Sequence, residues 1–319
     1  MAELTFREAL CQALREEMRR DPNVYLVGIA IGSYRRGGVF GVTEGLLEEF
    51  GEERVIETPI SEGAIIGSSI GAAMLGKRPV AEIMDAEFLV ACFHQLVYEA
   101  SQMRFFTSGE AKVPLVVRTA FGATVNAMPI QQQSPESWFL QSPGLKVVMP
   151  STPADAKGLL KAAIRDDNPV LFFEHKKLYD IRGPVPDGDF VIPLGRAEVK
   201  REGRDVTVIA TAWMVHEALE AARRLGSRGI ELEVVDLRSI LPIDKKTILE
   251  SVKKTRKVVI AHEAKKTGGV GAEVSALIAE EAFEFLNAPI IRVAGPDLPM
   301  PFVPSSEDIV QAVESLLRA

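Results

Sequence analysis

Thr58-Pro59-Ile60-Ser61-Glu62, running on into Gly63-Ala64-Ile65-Ile66-Gly67-Ser68-Ser69-Ile70-Gly71-Ala72-Ala73-Met74, is the stretch on which the reading of the chain turns. The segment before it, Arg54 to Glu57, has an apolar centre and predicts a strand. Pro59 and Ser61 break that strand, and a helix of small residues begins at Glu62 or just after it. Gly67, Gly71 and Ala72 fall at helical spacing and predict a smooth face for close packing. Each glycine inside a helix costs about 1 kcal/mol against alanine, so close approach of another backbone is the expected compensation. Glu62 then sits at a strand-to-helix switch, where helix N-termini meet ligands. Local sequence leaves two readings open: a carboxylate facing a ligand, or a residue that only decorates a first helical turn.

Outward from this stretch, strands and helices alternate. Leu4 to Arg20 reads as a helix with Phe6, Leu10, Leu14 and Met18 on one face, closed by Asp21-Pro22-Asn23. Val24 to Ile29 reads as a buried strand, and the glycine- and arginine-rich run from Ile31 to Gly38 as an irregular loop. Thr43 is a candidate cap for a helix over Glu44 to Phe50. Arg78 to Met84 and Val113 to Thr119 predict strands, with one long helix expected between them over Ala86 to Phe106. Residues 120–137 show little periodicity, and a loop of that length inside a compact domain points to function or disorder. A strand at Leu145 to Met149, a helix over Pro153 to Asp166 capped by Ser151 or Thr152, and a strand at Val170 to Glu174 follow. Such alternation predicts an α/β fold with a doubly wound, mostly parallel sheet. Residues 181–204 are rich in Pro and Gly amid charges and predict a linker. A second, smaller alternating set fills 205–319, which divides the chain into 1–180, a linker at 181–204, and 205–319.

Composition narrows the class. With 319 residues the chain has room for two domains, and 47% hydrophobic content can bury a sizeable core. The net charge of -7, without a basic stripe, argues against nucleic acid as a partner. No apolar run reaches the roughly 18 residues that span a bilayer, and MAELTFREAL lacks the apolar region of a signal peptide, so no membrane is expected and a cytoplasmic location is. Cys11 and Cys92 are too few for a disulfide framework or a thiolate metal cluster.

Motifs give less. No P-loop is present, nor a convincing G-x-G-x-x-G after a strand. Gly268-Gly269-Val270-Gly271 precedes a helix and reads as a tight strand-to-helix turn more readily than as an anion loop. His94, His175, His216 and His262 are too scattered for a metal cluster. Gly67-Ser68-Ser69-Ile70-Gly71 spells the hydrolase elbow but falls inside a helix, where an elbow does not work.

Three blocks together carry a family likeness: residues 38–79, Pro143 to Glu174, and His262 to Glu273. They resemble the beta subunit of the thiamine-diphosphate-dependent first component of 2-oxo-acid dehydrogenase complexes, of the pyruvate, branched-chain and acetoin types. The resemblance implies a transketolase-type pyrimidine-binding domain followed by a transketolase C-terminal domain. Glu62 matches the catalytic glutamate that faces the aminopyrimidine of the cofactor, and Phe88 matches an aromatic beside that ring, although its spacing alone suits a core residue equally. Leu115, Ala163, Ile164, Asp166 and Asn168 match a structural potassium site; an ordinary helix-to-strand turn is the other reading of that segment. The chain lacks the GDG…NN motif for diphosphate and magnesium, which the resemblance assigns to an alpha subunit in an α2β2 assembly with beta–beta contacts. A separate lipoyl acyltransferase core would take the acyl group.

Departures from the pattern cluster near the expected pocket. Gly28-Ile29-Ala30 stands where the family has Gly-Glu-Asp. Gln131 occupies the place of an active-site histidine, and an amide cannot shuttle protons near neutral pH. Asp85-Ala86-Glu87 and the segment holding His94, Tyr98, Glu99 and Phe105 also depart. A second expectation therefore stands beside the first: a catalytically silent or repurposed, self-associating scaffold that keeps the fold.

Overall fold

The structure, a computed structural model, describes residues 1–32, 37–124, 128–299 and 302–318. The chain forms two compact units: residues 1–121 with 138–194, and residues 122–137 with 195–319. The first unit holds β1 (Ala2–Thr5), α1 (Phe6–Arg20), β2 (Val24–Ile29), α2 (Leu46–Phe50), β3 (Val55–Thr58), α3 (Glu62–Met74), β4 (Arg78–Asp85), α4 (Met103–Phe106), β5 (Val116–Phe121), β6 (Lys146–Val148), α5 (Pro153–Arg165), β7 (Val170–His175) and β8 (Arg182–Val185). Its main sheet runs β6-β7-β5-β4-β2-β3, every pair parallel. Strands buried on both faces read as continuous apolar runs, and that is why β5 and β7 are buried along their whole length.

Local signals account for the helices. Thr5 and Glu8 form a capping box at the start of α1: the Glu8 amide donates to the Thr5 hydroxyl at 3.1 Å and the Thr5 amide to the Glu8 carboxylate at 2.7 Å. Phe6, Leu10, Leu14 and Met18 are buried as their spacing requires. Thr152 caps α5 by accepting from the Asp155 amide, with Pro153 at the first helical position. Thr43 does not cap: its hydroxyl donates to the Ile31 carbonyl at 2.6 Å, and α2 starts later, after Gly45 in the left-handed conformation. The irregular loop expected over Ile31 to Gly38 lies partly outside the described residues.

Two expectations give way. Ala86 to Phe106 is not one α-helix: a 3₁₀ segment covers Ala86–Cys92, a π segment Gln95–Ala100, and α4 only Met103–Phe106. The Ser101 amide reaches back five residues to Leu96, the signature of the wider turn, and the Ser101 hydroxyl donates to the Val97 carbonyl. Gly144 presses on this bend, where an added Cβ would lie 2.0 Å from the Ser101 carbonyl oxygen. The expected linker at 181–204 is also more structured than its composition implies. β8 pairs antiparallel with β1, and residues 198–201 form a further strand. Both are edge strands, where proline and glycine are tolerated.

The second unit holds β9 (Glu198–Arg201), β10 (Val206–Ala210), α6 (Trp213–Gly226), β11 (Leu232–Asp236), β12 (Ser239–Leu241), α7 (Lys245–Thr255), β13 (Val258–Lys265), α8 (Val270–Glu281), β14 (Ile291–Gly295) and α9 (Ser306–Arg318). Its sheet runs β14-β13-β10-β11-β9, parallel except for the β9 edge. Segment 122–137 belongs here because its backbone is tied to β13, the Ala123 amide donating to the Glu263 carboxylate at 2.6 Å. Among the described residues no helix is long and apolar enough to cross a membrane.

Candidate functional site

Glu62 is the first residue of α3 and is half-buried. Ser61 precedes it without capping the helix; its hydroxyl turns back to the Pro59 carbonyl at 3.0 Å. The N-terminus of α3 thus keeps backbone amides free of a side-chain cap, next to a carboxylate that its dipole favours. α3 packs against the 3₁₀ segment Ala86–Cys92, and Gly63 makes this possible: a Cβ there would stand 3.3 Å from the Ala91 carbonyl oxygen. Phe88 is half-buried on that same segment. Burial first, and the negative charge of Glu62 second, push the Cys92 thiol up to about 12. The thiol therefore stays protonated and unreactive at neutral pH. The Thr58 hydroxyl, at the end of β3, is buried with no hydrogen-bond partner among the described residues. An uncapped helix start, a carboxylate, an apolar ring and an unpartnered hydroxyl suit a polar heteroaromatic ligand.

The smooth face expected on α3 is not used as foreseen. Ile65, Ile66, Ser69, Ile70 and Ala73 are the buried residues, while Gly67 and Gly71 are exposed. A Cβ at Gly71 would meet nothing within 4 Å, and one at Gly67 only the Gln95 side chain at 4.0 Å.

Gln131 lies in the second unit, in the short 3₁₀ turn Pro129–Gln131, and is half-buried. The segment around it is braced internally. The Gly122 amide donates to the Gln133 carbonyl at 2.9 Å, the Thr124 amide to the Gln132 side chain at 3.1 Å, and Lys265 Nζ to Gln133 Oε1 at 3.2 Å.

The residues matched to a potassium site gather in the first unit. Arg78 donates to the Ile164 carbonyl at 2.8 Å and to the Asp166 carbonyl at 2.7 Å. The Leu115 carbonyl accepts from the Val170 amide and the Ala163 carbonyl from the Asp166 amide. Asp166 pairs with Lys146 and accepts from the Asn168 side chain at 2.9 Å. Despite its burial, these donors hold the Asp166 carboxyl below the usual carboxylate range. Oxygen donors are therefore present, and each carbonyl retains a second lone pair, but three cationic side chains, Arg78, Lys146 and Arg104, are already bonded to these residues.

Sequence reading passed over one cluster. Arg118 on β5 is buried and forks onto Glu174 of β7 at 2.7 and 2.8 Å; its third contact is Glu82 of β4 at 2.7 Å. Tyr179 donates to Glu174 at 2.9 Å. Burial pushes the Glu174 carboxyl up, partly offset by Arg118, and burial then the Glu174 charge raise the Tyr179 phenol well above its ordinary value. The signal was available: a single charge inside each of the apolar runs VVRTAF, PVAEIM and VLFFEH, of complementary sign.

The glycine motif before α8 has a packing explanation. A Cβ at Gly269 would lie 2.5 Å from His262 Cε1, and one at Gly271 2.5 Å from His262 Nε2. The glycines make room for a buried imidazole, which burial and then the Arg292 charge push down to about 4, so that it stays neutral at physiological pH. His94 is exposed, 3.9 Å from Glu99. Among the described residues no group of His, Cys, Asp and Glu could hold a metal ion.

Comparison with known proteins agrees with this architecture. The family model described as the transketolase pyrimidine-binding domain matches residues 2–182, and that of the transketolase C-terminal domain residues 195–312. The chain is 49% identical to the 2-oxoisovalerate dehydrogenase subunit beta of Bacillus subtilis, over 96% of this chain and 94% of that one. It is 43% identical to the beta subunit of the acetoin:2,6-dichlorophenolindophenol oxidoreductase of the same organism, over 96% and 92%. Identity to its pyruvate dehydrogenase E1 component subunit beta is 42%, over the full length of both. A solved split-gene transketolase, described as an inactive beta4 tetramer, superposes with a TM-score of 0.81 at 25% identity, covering 99% of this chain and 98% of that one.

Proposed function

We infer that this chain, which belongs to the family of beta subunits of 2-oxo-acid dehydrogenase first components built from transketolase pyrimidine-binding and C-terminal domains, contributes one half of a thiamine-diphosphate site for oxidative decarboxylation of a 2-oxo acid. The observation that supports it most is Glu62 at the uncapped start of α3, beside the segment that carries Phe88. Thiamine diphosphate, when bound, supplies the nucleophilic carbon and the electron sink for decarboxylation. Glu62 would hold a proton between its carboxyl and a ring nitrogen. Phe88 would cover the ring and exclude water. As a cofactor-binding residue Gln131 would donate or accept a hydrogen bond but move no proton, so it would not take the step that a histidine would.

The remaining half of the site, with the diphosphate and magnesium ligands, would come from an alpha subunit in an α2β2 assembly, and a lipoyl acyltransferase would accept the acyl group. The scaffold reading is not favoured, since relatives at 42–49% identity over nearly the whole chain are beta subunits of such dehydrogenases and oxidoreductases. Combining the chain with a matching alpha subunit, thiamine diphosphate and magnesium should give 2-oxo-acid-dependent reduction of an artificial electron acceptor. Silence with pyruvate, branched-chain 2-oxo acids and acetoin alike, in a complex that assembles, would end the catalytic reading.

For potassium, Leu115, Ala163, Ile164, Asp166 and Asn168 would offer mainly backbone carbonyl oxygens, against the opposing charges of Arg78 and Lys146. Thermal unfolding of the chain in potassium chloride and in choline chloride of equal ionic strength tests this. A site that binds the folded state alone raises the midpoint by about 2–4 °C per kcal/mol in potassium. Equal midpoints would remove potassium from the assignment.

A further inference from the structure

His262 is fully buried on β13, and neither ring nitrogen has a hydrogen-bond partner of ordinary geometry among the described residues. The Ala264 backbone favours the charged ring, but less than burial and Arg292 oppose it. The polar edge of the ring faces the start of α8: Cβ atoms built on Gly269 and Gly271 would lie 3.2 Å from Nδ1 and 2.5 Å from Nε2. Gly269 is the N-cap of this 12-residue helix and brings no side chain to its first amides. The helix therefore begins with uncapped donors and the positive end of its dipole. Outside the turn there is space, since a Cβ at Gly268 would meet nothing within 4 Å. Cations border the turn. Arg292 of β14 spends one donor on the Lys266 carbonyl at 2.7 Å, and its Cδ lies 3.4 Å from the Cβ position of Gly271. Lys266 is exposed, and neither it nor Arg292 is ion-paired among the described residues. Lys265, next in the chain, donates to Gln133. Two acids share the region: Asp297, which accepts from the Thr267 amide at 3.1 Å and hydroxyl at 2.6 Å, and Glu273, exposed in the first turn of α8.

We propose that the start of α8, with Arg292 and Lys266, is a binding site for a phosphate group, free or carried by a small molecule. An uncapped helix start and a guanidinium fork both suit an anion with several oxygens, and Arg292 uses only one of its donors within the chain. The loop already favours negative charge: Thr267 holds the Asp297 carboxyl below the usual carboxylate range. Asp297 bonds to Thr267 and leaves Arg292 and Lys266 unmatched. Near pH 7 a phosphate carries about 1.5–2 negative charges, enough to answer both cations, where a carboxylate answers one. The ring of His262 fits the same reading. A buried polar group without a partner costs stability, and an anion seated on the turn would set a favourable charge against the N–H dipole of the neutral imidazole. No residue of the proposed thiamine site takes part, so the proposal does not rest on that function.

Calorimetric titration of the full chain with inorganic phosphate and, separately, with glycerol 3-phosphate tests this, at constant ionic strength in a buffer free of phosphate and sulfate. Binding should saturate at one per chain. Equal affinities would make free phosphate the ligand, and a tighter ester a phosphorylated small molecule. Arg292→Met should weaken binding by about tenfold or more, the loss of a charged hydrogen bond. Lys266→Met should weaken it by about two- to fivefold, and Asp297→Asn should strengthen it by a similar factor. Lys246→Met, on the exposed side of α7, should change nothing. In the histidine-labelled chain the His262 imidazole signals should move on saturation, and those of His94 should not. Absence of saturable binding, an unmoved His262, or affinity undiminished in Lys266→Met would each overturn the proposal. So would an equal loss in Lys246→Met, which would reduce the effect to diffuse charge. Should Arg292→Met fail to fold, Lys266→Met decides, since its side chain is exposed. Decarboxylation is not the readout, so a silent assembled enzyme and a silent titration are separate outcomes.

Discussion

Glu62→Gln should lower turnover of the assembled enzyme by about 10²–10⁴-fold, the range expected when a positioned acid–base group is removed. Glutamine keeps the size and can still hydrogen-bond, but it cannot hold a proton that moves. The fold should hardly notice. Glu62 is half-buried, makes no capping bond, and at most gains about 0.3–1 kcal/mol from the helix dipole. The thermal midpoint should therefore stay within a few degrees of wild type while kcat collapses and KM changes little. Cys92 offers an internal control: loss of the Glu62 charge should ease thiol ionisation, read as faster alkylation at alkaline pH. A variant that keeps a third or more of wild-type turnover would remove Glu62 from the chemistry.

Arg118→Met should destabilise the first unit by about 3–5 kcal/mol, because it strands Glu82 and Glu174 without a cation inside a sheet buried on both faces. At about 2–4 °C per kcal/mol, the midpoint should fall by roughly 10 °C. The pair itself need not be a net source of stability, since desolvation of three charges opposes their attraction; its removal by halves is what is expensive. Arg118→Met combined with Glu82→Gln and Glu174→Gln should accordingly recover much of the loss. Arg118→Lys should recover less, because an ammonium cannot reproduce the fork onto Glu174 together with the third contact. A single Arg118→Met variant within about 1 kcal/mol of wild type in chemical denaturation would show that the cluster is solvated and not structural.

Much of the fold is legible because parallel strands announce themselves. Val206–Ala210 is apolar or β-branched throughout, and Val170–His175 is bounded by Pro169 on one side. The helices α1 and α5 were equally open to reading, from apolar spacing and a capping threonine. Other features leave no such trace. An apolar residue every three or four positions suits an α-helix, but also the succession of tighter and wider turns between Ala86 and Phe106, where local packing and not propensity chooses. The attachment of 122–137 to β13 joins residues far apart in the chain, the Ala123 amide to Glu263 and Lys265 to Gln133, and no local pattern announces such pairs. At the candidate site, the start of α3 at Glu62 was readable from a broken strand and a run of small residues. What surrounds it was not: nothing near Gly63 in sequence reveals the Ala91 carbonyl, and nothing near Ile164 reveals Arg78.

The bare outer side of α3 has a consequence for anyone altering the protein. With no side-chain fringe at Gly67 and Gly71, another polypeptide could lie almost against the main chain there, at the short end of the 8–10 Å separation of helix axes, near enough for Cα–H contacts to carbonyl oxygens. A methyl group placed at Gly71 would have free space in the isolated chain and would stiffen it, yet would act as a spacer wedge against any such neighbour. A screen for heat resistance on the isolated polypeptide would then reward the same change that prises an assembly apart.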